Sequence, residues 1–141
     1  MTDTMTSGAR RNWWTIGLWV AQLLLALVFG AAGVMKLMTP VADLAAMMNW
    51  VSVSPEALVR FIGFDELAGA LGMILPALTR ILPFLTPLAA AGFALIQVLA
   101  IGTHGALGET ASTLPMNLVL LALALFVAWG RWKKSPIAPR S

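Results

Sequence analysis

The chain has 141 residues, 60% hydrophobic and 11% charged, with a formal net charge of +3. A soluble domain of this length has too little interior to bury so much apolar surface, so composition points to a bilayer as solvent. With no cysteine and one histidine, His104, the sequence rules out disulfides, thiol chemistry, iron–sulfur clusters, cysteine-ligated zinc and any multi-histidine metal or bis-histidine haem site within one chain. The basic residues sit at helix ends, where membrane topology accounts for them, and nucleic acid is not expected as a partner.

Residues 1–11 read as a cytoplasmic tail, disordered over 1–9. Residues 12–35 carry no charge and exceed the roughly 20 residues that cross a bilayer. Arg10 and Arg11 before this run give it the look of a signal peptide. Its length, and the lack of a convincing small-x-small cleavage site before Lys36, make it a retained first span at about 13–36. Thr39-Pro40 reads as the start of a short helix over 40–50, with Met47, Met48 and Trp50 suited to the membrane interface. Ser54-Pro55-Glu56 reads as a second start, with the hydroxyl as N-cap and proline at the first helical position. It opens a second span at about 55–79, with a kink expected at Pro76. Pro83 and Pro87 open a third span at about 83–104, and Pro115 a fourth at about 114–132. Residues 133–141 form a second cytoplasmic tail, disordered over 135–141. The expected fold is an all-α membrane protein: a single four-helix transmembrane bundle over 12–132, with a short interfacial helix between the first and second spans.

With four spans, seven of the nine basic residues fall on one side: Arg10, Arg11, Arg80, Arg131, Lys133, Lys134 and Arg140. The positive-inside rule puts that side, and both termini, in the cytoplasm. Asp43, Glu56, Asp65, Glu66, Glu109 and His104 belong to the opposite side or to the outer half of the membrane.

Glu66 is the most informative residue. A carboxylate at membrane depth costs several kcal/mol or more, so such residues generally serve a pathway, a partner or a ligand. Glu66 lies 14 residues from Arg80, Gln97 lies 14 from Pro83, and Asn117 lies 14 from Arg131. At about 1.5 Å per residue, these three side chains share a level in the outer half of the core, with Gln22 somewhat nearer the midplane. Lys36 and His104 end their helices just above. Interhelical hydrogen bonding for packing alone is the competing explanation for such a layer. Lys36 either reaches down to Glu66 or Asp65 or snorkels up to lipid headgroups. Helical geometry turns Glu66 toward the face of Ala70 and Met73, and Asp65 about 100° away toward Gly69 and Gly72. Arg60 and Glu56 have the spacing of a helix-surface pair. Gly30, Gly33, Gly69, Ala70, Gly72, Ala90 and Ala94 offer small faces for close helix packing. Of the six tryptophans, all but Trp19 fall where interface anchors are expected.

The segments Phe29-Gly-Ala-Ala-Gly-Val-Met-Lys-Leu37, Glu66-Leu-Ala-Gly-Ala-Leu-Gly-Met-Ile-Leu-Pro76 and Pro87-Leu-Ala-Ala-Ala-Gly-Phe, with His104 following, resemble DoxX and DoxX-like proteins over about residues 20–130. The resemblance implies a four-helix protein of the bacterial inner membrane. Named members of that family include a membrane subunit of a thiosulfate:quinone oxidoreductase and a component of a membrane oxidoreductase complex. By position, Lys36, Glu66 and His104 carry over. The candidate site is therefore Glu66, Lys36, His104, Gln97, Asn117 and Asp65. The expected role is a small subunit or binder of a lipophilic, quinone-like redox partner, with no intrinsic redox cofactor and a bound quinone or lipid as ligand. The alternatives are a proton-coupled carrier of a small solute and an assembly factor. Expected partners are the bilayer and either a second copy or a larger membrane oxidoreductase complex.

Overall fold

The computed structural model describes the backbone of residues 2–141 and the side chains of residues 13–141. Met1, and the side chains of Arg10 and Arg11 on which part of the topology argument rests, lie outside the described residues. The elements are α1 (Thr2–Met38), α2 (Val41–Met47), α3 (Asn49–Ser52), α4 (Glu56–Thr79), α5 (Leu85–Ala106) and α6 (Thr110–Trp129), with a π-helical turn at Gly130–Lys134. Four stretches are long and apolar enough to cross a membrane: Trp13–Met38, Glu56–Thr79, Leu85–Ala106 and Thr110–Lys134. The chain is an all-α bundle of four membrane spans.

The helices close a ring in which α1 packs on α4, α4 on α5, α5 on α6, and α6 back on α1. Lipid is as apolar as leucine, so burial alone does not drive this assembly; close packing and internal polar contacts do. The outer faces stay apolar, with Leu27, Phe61, Phe64 and Leu99 all more than 60% exposed. Inside, the rings of Phe29 and Phe93 stack at 3.9 Å and 9° across the waist of the bundle. The tightest seam joins α1 to α4. A Cβ on Gly33 would stand 2.6 Å from the Gly63 carbonyl oxygen, and one on Gly63 would stand 2.7 Å from Lys36 Cβ. Only glycine lets these two backbones approach so closely.

Several local expectations are corrected. The backbone is helical from Thr2, where composition implied a disordered tail; nothing between Thr2 and the first span breaks the helix. The single interfacial helix is two short ones, separated at Met48 by extended dihedrals of −133° and 107°. They bury Leu44 and Val51 against Val59 of α4, which folds this segment back over the bundle. Pro40 and Pro55 are themselves the N-caps, without side-chain cap bonds. The Ser54 hydroxyl instead donates back to the Trp50 carbonyl at 2.7 Å. The fourth helix starts at Thr110, five residues before Pro115, which lies within it. The turn before it depends on Gly108, whose φ of +75° suits glycine. At the other end, Arg140 N–H donates to the Arg80 carbonyl at 2.8 Å and Ser135 is buried, so the C-terminal segment expected to be disordered is held against the bundle.

Pro76 shows how a broken backbone bond is repaired without water. Proline has no N–H, so the carbonyl of Gly72, four residues earlier, loses its helical donor. The hydroxyl of Thr86 on α5 donates to that carbonyl at 3.2 Å. This is the kind of neighbouring-helix partner that makes proline tolerable in a membrane span. Thr86→Val is expected to lower stability in detergent by about 1 kcal/mol. Adding Pro76→Ala, which returns the N–H, is expected to restore it. Equal losses in the single and double variants, measured by thermal unfolding, would count against the repair.

Candidate functional site

Glu66 lies on the buried face of α4 that also carries Val59, Gly63, Ala70 and Met73. The Gly33–Gly63 crossing brings the end of α1 directly over it. Lys36 Nζ donates to Glu66 Oε2 at 2.7 Å, and both side chains are 7% exposed. Of the two courses open to Lys36, the structure takes the inward one. The pair is formally neutral, which is how two charges are accommodated at membrane depth. Arg60 holds the frame. It bonds Glu56 as expected from its spacing, and also donates to the carbonyl of Thr39 at 2.7 Å and to that of Lys36. It thereby caps the C-terminal end of α1, whose last carbonyls have no helical donors.

Beside the pair lies a cavity of about 280 Å³, lined by Lys36, Glu66, Gln97, Asn117 and His104, with Trp50 from α3 and the apolar side chains of Ile62, Ile96 and Leu99. Gln97 is 4% exposed and Asn117 9%, yet Gln97 Oε1 and Asn117 Nδ2 have no hydrogen-bond partner. Most buried polar atoms in proteins are paired, so two orphans on one cavity wall call for an explanation. His104 closes the rim, its Nδ1 2.8 Å from Glu109 Oε2. Five of the six sequence candidates thus meet at one cavity. Asp65 does not. One residue's rotation from Glu66 carries it to the outer face of α4, into a separate groove with Gly69 and Gly72.

Gln22, expected nearer the midplane, does not join this cavity and is engaged in the other half of the bundle. Its Nε2 donates to the Met73 carbonyl at 2.8 Å, while its Oε1 accepts from Arg131 Nε at 2.7 Å. Arg131 is 5% exposed, not a surface marker of the membrane boundary as its position implied. The π-helical turn directs it inward, where it also donates to the Ser135 carbonyl at 3.1 Å and lies 5.6 Å from the Trp19 ring. That contact gives Trp19 the role that interface anchoring could not. Sequence reasoning missed Trp50 as part of the cavity wall, Glu109 as the partner of His104, Arg60 as the cap of α1 and Arg131 as a buried donor. A carboxylate five residues after a helix-ending histidine was a usable signal for Glu109; the others depend on how the chain folds back. Among the described residues no group of three or more His, Asp or Glu side chains is placed to hold a metal ion.

The model of the DoxX-like family matches residues 20–127, which contain every residue of this cavity. The chain belongs to the DoxX-like family. No curated protein and no solved structure matches it. In this DoxX-like protein the glycine-rich end of the first span, the glutamate of the second and the histidine of the third converge on one cavity wall.

The charge pair gives a sharp prediction. Removing one partner of a buried pair leaves an uncompensated charge, a loss of about 3–5 kcal/mol, whereas replacing both with apolar groups is often neutral. Lys36→Met is expected to reduce folded yield and thermal stability strongly, and Lys36→Met with Glu66→Leu to recover both. Additive losses in a thermal-unfolding cycle would show that the two side chains act independently.

Proposed function

We propose that this DoxX-like protein binds the head of a small lipophilic, quinone-like molecule in the Lys36–Glu66 cavity and serves as a membrane subunit for a redox partner. The observation that carries the reading is the pair of buried, unpartnered amide atoms, Gln97 Oε1 and Asn117 Nδ2, on the wall of a cavity where Lys36, Glu66 and His104 meet the apolar side chains of Ile62, Ile96 and Leu99. An apolar pocket with a few convergent polar groups is the usual form of a small-molecule site, and about 280 Å³ is near its lower size limit. A quinone oxygen accepts hydrogen bonds, and the amide of Asn117 and the unspent protons of Lys36 can donate them. A quinol hydroxyl donates, and Gln97 Oε1 and Glu66 can accept. Ile62, Ile96 and Leu99 suit the start of an isoprenoid tail. With no cysteine and one histidine, the chain lacks the ligands of an iron–sulfur cluster or a bis-histidine haem, so electrons would come from another subunit.

One geometric fact favours binding over proton-coupled transport. Lys36 already holds the place beside Glu66 that a cationic solute would take. The clustering of Arg80, Lys133, Lys134 and Arg140 at one end supports both termini in the cytoplasm and the cavity toward the outer face, in the bacterial inner membrane that the family resemblance implies.

Purified protein in nanodiscs, titrated with decylubiquinone, tests the reading. Saturable binding is expected, weakened about tenfold by Gln97→Leu or Asn117→Leu, the loss of roughly one hydrogen bond. The same substitutions should leave the empty protein's thermal stability unchanged or raised, because they remove orphaned polar atoms. No bound quinone in membrane extracts, together with no saturable binding, would overturn it.

A further inference from the structure

Asp65 is an exposed carboxylate on a membrane-spanning helix. It lies nine residues beyond Glu56, which places it about 13 Å along α4 from the helix start. Among the described residues it has no ion-pair partner; the basic side chains at this end are committed elsewhere, Lys36 to Glu66 and Arg60 to Glu56. Asp65 stands in a groove of about 310 Å³ between α4 and α5 that opens toward the membrane. The groove walls are small, with Ala68 and Gly72 on one side and Ala89 and Gly92 on the other, and the buried Phe93 behind them. Small walls let another backbone come close, and in lipid a carboxylate left unpaired at this depth is costly.

We infer that this groove seats a transmembrane helix of a different protein, one carrying a lysine or arginine at the depth of Asp65. Charge complementarity selects that occupant. Among the described residues, a second copy in the same orientation offers no cation at this depth: Lys36 and Arg60 are engaged, Arg131 is buried against Gln22, and Arg80, Lys133, Lys134 and Arg140 lie at the far end of their spans. A symmetric contact through the groove would set one Asp65 toward the other or toward apolar surface. A lysine or arginine side chain on a docked helix has the reach to pair with Asp65 while the helix backbone lies against the alanine and glycine walls. The groove is separate from the cavity, so this inference stands whether or not the cavity binds a quinone.

The test is photo-crosslinking in native membranes from a benzoyl-phenylalanine placed at Leu88, on the groove rim, with the adduct sequenced by mass spectrometry. The expected adduct joins Leu88 to a membrane-spanning segment of another protein that bears a lysine or arginine. Asp65→Leu should reduce its yield at least about tenfold, the loss of one desolvated charge pair. The same variant should leave the isolated protein as stable as wild type or more so, since it removes a carboxylate from a lipid-facing surface. A partner cation exchanged for aspartate should restore the adduct with Asp65→Lys. Adducts only with lipid or with a second copy, an adduct indifferent to Asp65→Leu, or a loss of stability in Asp65→Leu would each overturn the proposal.

Discussion

Hydrocarbon offers no hydrogen bonds, so every charge and every open carbonyl in this bundle has to find its partner within protein. The Lys36–Glu66 pair is the strongest expression of that constraint. Holding it requires the end of α1 to lie against the middle of α4, which requires glycine at 33 and 63, where a Cβ would collide with the facing backbone or with Lys36 itself. Arg60 then ties off the carbonyls where α1 ends, and α2 and α3 fold back so that Trp50 forms part of the cavity wall. The geometry of the cavity follows from a single neutralised charge.

The same constraint shapes the opposite end with different chemistry. Arg131 has no carboxylate partner among the described residues; its Nε and Nη1 donate to the Gln22 amide and a backbone carbonyl beside the Trp19 ring, and its Nη2 is left without a partner. Gln22 relays that contact to the Met73 carbonyl on α4. Thr86 repairs the carbonyl that Pro76 exposes one residue away. Between these two polar ends the stacked Phe29 and Phe93 rings form an apolar waist. The two ends differ in one respect that matters for function. The Arg131 end spends nearly all its polar atoms internally, whereas the Lys36 end leaves two amide atoms facing a cavity.

Much of this was legible from helical arithmetic. Residue spacing on one helix fixes which face Glu66 shares with Ala70 and Met73, and why Asp65 must leave it. Counting residues from charged or proline boundaries placed Gln97 and Asn117 level with Glu66, because straight helices rise uniformly. What the arithmetic could not supply is how separate helices meet. Gln22, expected somewhat nearer the midplane than that level, faces the other half of the bundle, where Arg131 reaches it through a π-helical turn that leaves no periodic signature. Trp50 looked like an interface anchor because nothing local shows that α2 and α3 turn back over the bundle. Gly63 went unremarked among many small residues, since only the crossing point distinguishes it. Thr86 could have been found: a proline inside a membrane span leaves a carbonyl open, and a hydroxyl nearby on the next helix is a natural donor.

Lys36 and Glu66 form a direct pair inside the bundle, and the cavity is built around it. Solid-state NMR in lipid bilayers, with 15N in the lysine side chains and 13C in the glutamate carboxyl groups, measures that pair without perturbing it. One strong nitrogen–carboxyl dipolar coupling is expected, as a 2.7 Å Nζ–Oε2 contact requires, and it disappears in Lys36→Met. A spectrum without that coupling, or one in which it survives the substitution, would contradict the account.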